Sequence, residues 1–297
     1  MDKTKVAIVG LGNVGHAAVE LVHRAPDMEL SGVVRRRLTG DEPRGIRFVT
    51  SISDLQPVHV ALLCIPTRQV PQTAAELLAA GINTVDSFDL HGQELLRLRA
   101  DLNQVAVTNQ TVAVLGAGWD PGSDSVVRAL FEAIAPQGVT YTNFGPGMSM
   151  GHSVAVKALP GVVDAVSMTL PMGLGKHKRD VYVQLEDGAE LAEVAARIKQ
   201  DPYFAKDETR VIQVHDVADV YNTGHGVHLE RFGATGSAQN QRLKLNMTLT
   251  NPATTAQLMV VCARAAVRLS PGAYTMLEVP IIDLLPGSRE HIIERLV

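Results

Sequence analysis

A chain of 297 residues with 46% hydrophobic side chains can bury a sizeable core, and its length favours two domains over one. A net charge of −4 and a pI near 6.2 leave no basic stripe for nucleic acid, and the run Arg35 to Arg37 is too short to make one. The only cysteines, Cys64 and Cys262, lie far apart inside apolar runs, which argues for buried thiols in a reducing, cytoplasmic compartment and against a disulfide or a metal site; no segment is long enough to span a membrane.

The first predicted element is the apolar, β-branched run Val6 to Val9, a buried parallel strand that feeds into G-L-G-N-V-G. Gly10, Gly12 and Gly15 stand at G-x-G-x-x-G spacing, and Ala17, Ala18, Leu21 and Val22 then recur at helix spacing. The same glycines interrupt any signal-peptide core. A strand-to-helix turn of this kind brings bare backbone up to a pyrophosphate, with the helix N-terminal N–H groups aimed at it. Gly10, Gly12, Asn13 and Val14 are therefore the predicted contacts to a dinucleotide. A turn serving only packing is the alternative, and the flanking strand and helix argue against it.

Glu29 to Val34 reads as the second strand, and at its end an acidic residue would meet a ribose 2′-hydroxyl. Here Arg35 and Arg36 stand there, about 20 residues after the glycines. Guanidinium groups pair with a 2′-phosphate, so the sequence favours NADP(H) over NAD unless this is only a solvated basic turn. Val60 to Ile65 is a further buried strand ending in Pro66 and Thr67, followed by a helix from Val70 to Ala80. Strand ends face the cofactor in such folds, so Pro66 and Thr67 are candidates to touch its nicotinamide half, a turn-forming pair being the plain alternative. Ile82 to Val85 makes a strand that ends in D-S-F-D, which puts Asp86 and Asp89 either in the substrate crevice or on a helix cap. Val112 to Leu115 runs into G-A-G-W-D-P-G, where the one tryptophan, Trp119, stands beside Asp120 among turn residues. That run reads as a site and as the end of a nucleotide domain, residues 1–119.

From Ser123 the periodicity changes. A helix over Ser125 to Ala135 precedes strands at Val139 to Asn143, Val163 to Leu170, Asp180 to Leu185 and Val211 to Val214, an open sheet with helices forming a second α/β domain, residues 120–269. F-G-P-G-M-S-M-G-H-S, Phe144 to Ser153, reads as a loop whose backbone N–H groups can hold a carboxylate. His225 and His228 have no neighbouring carboxylate or thiol to complete a ligand set, so no metal is expected. Leu245 to Leu249 leads into T-N-P-A, a helix follows over Ala253 to Arg268, and the segment 270–297 is expected to return to the nucleotide domain.

G-L-G-N-V-G, V-V-R-R, D-S-F-D, A-G-W-D-P-G, F-G-P-G-M-S-M-G-H-S, H-K-R, H-G-V-H and T-N-P-A together resemble meso-diaminopimelate dehydrogenase over essentially the whole chain. The resemblance implies a Rossmann-type doubly wound dinucleotide-binding domain with a second open-sheet domain for substrate and dimerisation. It also implies a cytoplasmic homodimer in lysine and diaminopimelate metabolism. The implied reaction is NADP-dependent, reversible oxidative deamination of the D-centre of meso-2,6-diaminopimelate to L-2-amino-6-oxopimelate and ammonia. Carried over residue by residue, Asp89 and Asp120 hold the reacting amino group, Trp119 shapes the pocket, and backbone at Met150 and Gly151 holds the adjacent carboxylate. Thr169, Arg179, His225 and Asn251 form the distal cluster, with Arg179 as a bidentate carboxylate clamp and Phe144 along the methylene spacer. The sequence departs from longer family members between Pro171 and Lys176, where it is short.

The chemistry suits the residues by itself: deamination needs a neutral amine, a Cα–H aimed at the nicotinamide and hydration of an imine, all of which carboxylates serve. The alternatives are a broader D-amino acid dehydrogenase working by reductive amination of 2-oxo acids, a non-catalytic NADPH-binding sensor, and a sugar-type oxidoreductase. The last would place a lysine after the strand that holds Cys64, and Gly81 to Gln110 contains none.

Overall fold

The computed structural model describes residues 3–38, 40, 45–205, 207–220 and 224–297, leaving aside the side chains of residues 150, 151 and 219. Two units emerge: one runs up to Ala129 and resumes at Pro252–Val297, and the other is Leu130–Asn251.

In chain order the first unit supplies β1 (Thr4–Val9), α1 (Asn13–Arg24), β2 (Met28–Val34), β3 (Phe48–Val49), β4 (Val60–Leu63), α2 (Val70–Ala79), β5 (Asn83–Asp86), α3 (Gln93–Thr108), β6 (Val112–Leu115) and the start of α4 (Ser123–Ile134). The second unit adds β7 (Gln137–Met148), α5 (Met150–Lys157), β8 (Val162–Gly173), β9 (Lys176–Leu185), α6 (Leu191–Gln200), β10 (Glu208–Gln213), β11 (His225–Thr235) and β12 (Ala238–Leu249). The chain then returns through α7 (Asn251–Ala266), β13 (Gly272–Thr275) and α8 (Arg289–Leu296).

The first unit holds a seven-stranded sheet in the order β13-β6-β5-β4-β1-β2-β3, parallel throughout. Its central strands β4 and β6 are apolar at every position because both faces are covered, and alternate residues of the sheet feed two cores. Val6, Ile8, Leu62 and Val114 pack with Val22 of α1 and with Met259, Val260 and Ala263 of α7. Ala7, Leu63 and Leu115 pack with Leu77 and Leu78 of α2 and with Leu98 and Leu102 of α3. The strand order reverses between β1 and β4, so the segments following these two strands flank the crevice where such sheets bind ligands.

The second unit is a six-stranded sheet, β10-β9-β8-β7-β11-β12, antiparallel except for the pair β9 and β10. Ala165, Val181 and Val183 pack against Val156 of α5 and Val194 and Ile198 of α6. Among the described residues no helix is long and apolar enough to cross a membrane.

The units divide elsewhere than at residues 119/120 and 269/270. Val126 of α4 packs on the nucleotide-unit core, and α7 buries Ala256, Met259 and Cys262 in it, so residues 120–129 and 252–269 side with the first unit. The expected loop Phe144 to Ser153 is instead the end of β7, a cap at Ser149 and the first turn of α5. Glycine lets the strand continue there: a Cβ on Gly145 would lie 2.2 Å from the Thr169 carbonyl oxygen, and one on Gly147 would lie 2.2 Å from that of Gly224.

Candidate active site

The glycine loop joins β1 to α1 with two kinds of glycine. Gly10 has φ +94°, and a Cβ there would sit 2.3 Å from the Cys64 carbonyl oxygen; a Cβ on Gly15 would sit 2.3 Å from that of Gly10. These two close the turn. Gly12 is different, because a Cβ there would meet nothing within 4 Å. Packing within the chain does not require a glycine there. Gly12 is also the N-cap of α1, which has no side-chain cap and no acid in its first turn, leaving the N–H groups at Asn13, Val14 and beyond available to an anion.

A cavity of about 830 Å³ opens from this loop, lined among others by Gly10, Gly12, Arg35, Arg36, Pro66 and Gln69. Arg36 donates from Nη2 to Gln69 Oε1 at 2.7 Å, which aims its guanidinium across the cavity. Thr50 and Thr73 add hydroxyls to the same wall. The donor set suits a dinucleotide with a phosphate at the arginine end. Gln69 escaped the sequence reading, since nothing local marks a lone glutamine after a proline turn.

Thr67 and Asp89, assigned to separate roles, meet: Thr67 Oγ1 donates to Asp89 Oδ1 at 2.5 Å. Asp86 turns inward. It is fully buried, its Oδ1 accepts from the N–H of Phe88 at 2.9 Å and of Gly116 at 3.1 Å, and its Oδ2 has no hydrogen-bond partner. Burial pushes its carboxyl up to about 6 against the pull of those two amides. Asp86 thus pins the segment carrying Asp89 to the segment carrying Trp119 and Asp120.

The A-G-W-D-P-G run is a tight closed loop. A Cβ on Gly122 would fall 1.7 Å from the Gly118 carbonyl oxygen, and Trp119 is buried, only 7% exposed. Arg128, one of two residues here that the sequence reading missed, donates to Asp120 Oδ1 at 3.0 Å and lies 3.0 Å from Asp124 Oδ2. Asp124 is the other. At i, i+4 on one helix, Asp124 and Arg128 look like an ordinary surface pair, yet the aspartate is completely buried.

In the second unit the distal candidates line up across the sheet. Arg179 of β9 faces Thr169 of β8, Thr169 faces Gly147 of β7, Gly147 faces His225 of β11, and His225 faces Leu249 of β12, two residues before Asn251. Arg179, 7% exposed, donates from Nη1 to Thr169 Oγ1 at 2.8 Å and from Nε to Asp207 Oδ2 at 2.5 Å, with Nη2 3.2 Å from His177 Nε2. Asp207 had no mark in the sequence. His225 Nδ1 bonds the Met148 carbonyl oxygen, and Phe144 pairs with Val227 in the same ladder. Met150 and Gly151 open α5; their side chains lie outside the described residues, while their backbone N–H groups belong to an N-terminus capped at Ser149 without a side-chain bond.

His152, next along α5, bonds Ser149 Oγ through Nδ1 and the Tyr203 carbonyl oxygen through Nε2. Because a carbonyl oxygen only accepts, Nε2 carries the proton. Burial, and then the charge of Arg179, push this imidazole down to about 4, so it stays neutral. Among the described residues no three His, Cys, Asp or Glu side chains gather as metal ligands; His225 and His228 are committed to Met148 and Asn246 respectively.

Comparison with known proteins adds a lineage to this geometry. Residues 118–174 match the diaminopimelic acid dehydrogenase C-terminal domain, and residues 1–88 match a CoA binding domain. The chain is 54% identical to the meso-diaminopimelate D-dehydrogenase of Bacteroides fragilis over 100% of both chains. The structure of Corynebacterium glutamicum DAP dehydrogenase in complex with DAP superposes with a TM-score of 0.87 at 32% identity, covering 100% of each chain. An engineered D-amino acid dehydrogenase bound to NADP+ superposes with a TM-score of 0.80 at 31% identity, covering 99% of this chain and 100% of that one. A Rossmann-type unit, a second sheet unit and whole-length relatives of this identity place the chain in the meso-diaminopimelate D-dehydrogenase family, as an amino-acid dehydrogenase.

Proposed function

We propose that the chain catalyses the reversible oxidative deamination of the D-centre of meso-2,6-diaminopimelate to L-2-amino-6-oxopimelate and ammonia, with NADP+ as oxidant. NADP+, when bound, supplies the hydride acceptor. Arg35 and Arg36 hold its 2′-phosphate, Gly12 and the start of α1 hold its pyrophosphate, and Pro66 and Thr67 border its nicotinamide half. Asp89, steadied by Thr67, and Asp120, steadied by Arg128, receive the substrate ammonium and take up its proton. Backbone N–H groups at Met150 and Gly151 hold the carboxylate beside the reacting carbon.

The observation that carries the substrate reading is the state of Arg179. It is buried in a four-strand row, fixed by Thr169 and Asp207, and two of its five N–H donors have no partner among the described residues. A prealigned pair of donors on a buried cation suits the far carboxylate of a long diacid and is idle for a short D-amino acid. His225 and Asn251 complete the recognition of that far head group, and Phe144 lines the spacer. By resemblance the chain works as a homodimer, which light scattering on the eluting peak reads directly. Purified protein should reduce NADP+ in the presence of meso-diaminopimelate, faster than with NAD+ and faster than with D-alanine. Absence of reduced nicotinamide with any D-amino acid would refute the reading.

A further inference from the structure

Asp124 stands out among the groups the mechanism leaves unused. It lies in the first turn of α4, its side chain is 0% exposed, and it is held by the Arg128 guanidinium at 3.0 Å and the N–H of Ser125. Two features surround it. Arg128, one turn on, contacts Asp124 Oδ2 and Asp120 Oδ1 at 3.0 Å each, which gathers the two carboxyls under one guanidinium. Two ionised carboxylates can only accept, so neither offers the other a donor. One proton placed between them supplies it, and a single guanidinium then balances a single remaining negative charge.

Resting on the assignment of Asp120 to the reacting amine, we infer that Asp124 is a positioning residue that shares with Asp120 the one proton released by the substrate ammonium. In the oxidative direction the ammonium N–H bond breaks, the proton forms an O–H bond on Asp120, and it lies between the two carboxyls as O–H···O under Arg128. The electron pair of the broken bond stays on nitrogen, giving the neutral amine that hydride loss requires. In the reductive direction the same proton returns to nitrogen. The pair must therefore be empty of its proton for oxidation and filled for reduction.

Energetics favour the sharing. Burial, followed by the charge of Asp120, raises the affinity of Asp124 for a proton, and Arg128 opposes them. Among the described residues the leading charged groups that act on it are Asp120 from the loop before α4 and Arg128 from α4 itself; Thr255 of α7, against Gly118 of the same loop, is uncharged. Asp86 is a separate buried acid on β5, committed to its two amides.

The test compares wild type, Asp124→Asn and Asp124→Glu. In Asp124→Asn, Asp120 loses its anionic neighbour, so the acid limb of kcat/KM for oxidation should move toward lower pH while kcat falls at least about tenfold. NADP+ affinity should hold, and Asp124→Glu should return part of the rate with the limb near its wild-type position. A limb that stays in place in Asp124→Asn, with any uniform loss of rate, would overturn the inference. A second readout needs no activity: infrared difference spectra from about pH 5 to about pH 9, recorded on substrate-free protein in an Asp86→Asn background that removes the other buried acid, should show a buried carboxylic C=O band that Asp124→Asn removes. A missing or unaltered band overturns the inference too. If the band is present and lost in the variant while meso-diaminopimelate is not oxidised, the shared proton stands and the substrate assignment fails.

Discussion

Replacing Arg179 with alanine removes the one buried guanidinium in the four-strand row and should split the substrates by length. Its two N–H donors without a partner among the described residues are the structural basis for the magnitude. Each charge-assisted bond to a carboxylate contributes about 1.5–3 kcal/mol, so a bidentate pair accounts for about 3–6 kcal/mol. At about 1.4 kcal/mol per decade, kcat/KM for meso-diaminopimelate should fall roughly 10²- to 10⁴-fold. D-Alanine has no far carboxylate, and its kcat/KM should stay within about threefold. The substitution also strands Asp207, whose side chain is 18% exposed and 3.5 Å from His177, so some stability goes with it. Adding Asp207→Asn separates the effects: the double variant should regain melting temperature without regaining activity on the long substrate. Initial rates of NADP+ reduction with both substrates, in wild type and both variants, make the measurement. Parallel losses for the two substrates would show that Arg179 only braces the sheet.

Arg35→Asp with Arg36→Ala should weaken NADP+ binding by about 1.5–3 kcal/mol per lost contact and shift preference toward NAD+; an unchanged ratio of the two dissociation constants would rule out the 2′-phosphate role. Gly12→Ala should leave the melting temperature unchanged, because its Cβ meets nothing of the chain, yet raise the Kd for the dinucleotide, whereas Gly15→Ala, 2.3 Å from the Gly10 carbonyl oxygen, should lower the melting temperature itself. Equal melting curves for the two variants would refute the distinction. Asp86 has a pKa raised from 3.8 to about 6, so the folded state holds its proton where the unfolded state has lost it, and stability falls as pH rises through that window. Chemical denaturation should therefore show Asp86→Asn gaining on the wild type by about 3 kcal/mol between about pH 4 and about pH 7, with no gain if the buried acid is ionised throughout.

Legibility in the sequence followed the range over which each feature is encoded. The glycine loop, the arginines after β2 and the strands of the first unit are local patterns, and the parallel sheet follows from uninterrupted apolar runs such as Val60 to Leu63. The row from Arg179 to His225 was legible only as scattered motifs; their common level depends on the pairing of four strands, which no local spacing records. Asp207 and Gln69 act through long-range contacts and leave no periodic trace. Phe144 to Met148 misled because glycine and proline mark turns in general, and only the backbone of Thr169 and Gly224 pressed against Gly145 and Gly147 explains why a strand wants glycine there.

The order of the chain bears on how the first unit comes into being. Its sheet ends in β13, which pairs with β6, and its core is sealed by Met259, Val260 and Ala263 of α7. Both elements follow the whole of Leu130–Asn251 in sequence. During synthesis the strands β1 to β6 therefore wait, with β6 an open edge and one face of the sheet covered by α1 but not yet by α7, while the inserted unit has all of its own strands and can fold first. A ribosome-stalled chain tethered by a linker long enough to bring residue 251 just clear of the exit tunnel should carry a folded second unit, resist proteolysis there, and bind no dinucleotide; NADP+ affinity should arise only once α7 and β13 have cleared the tunnel as well.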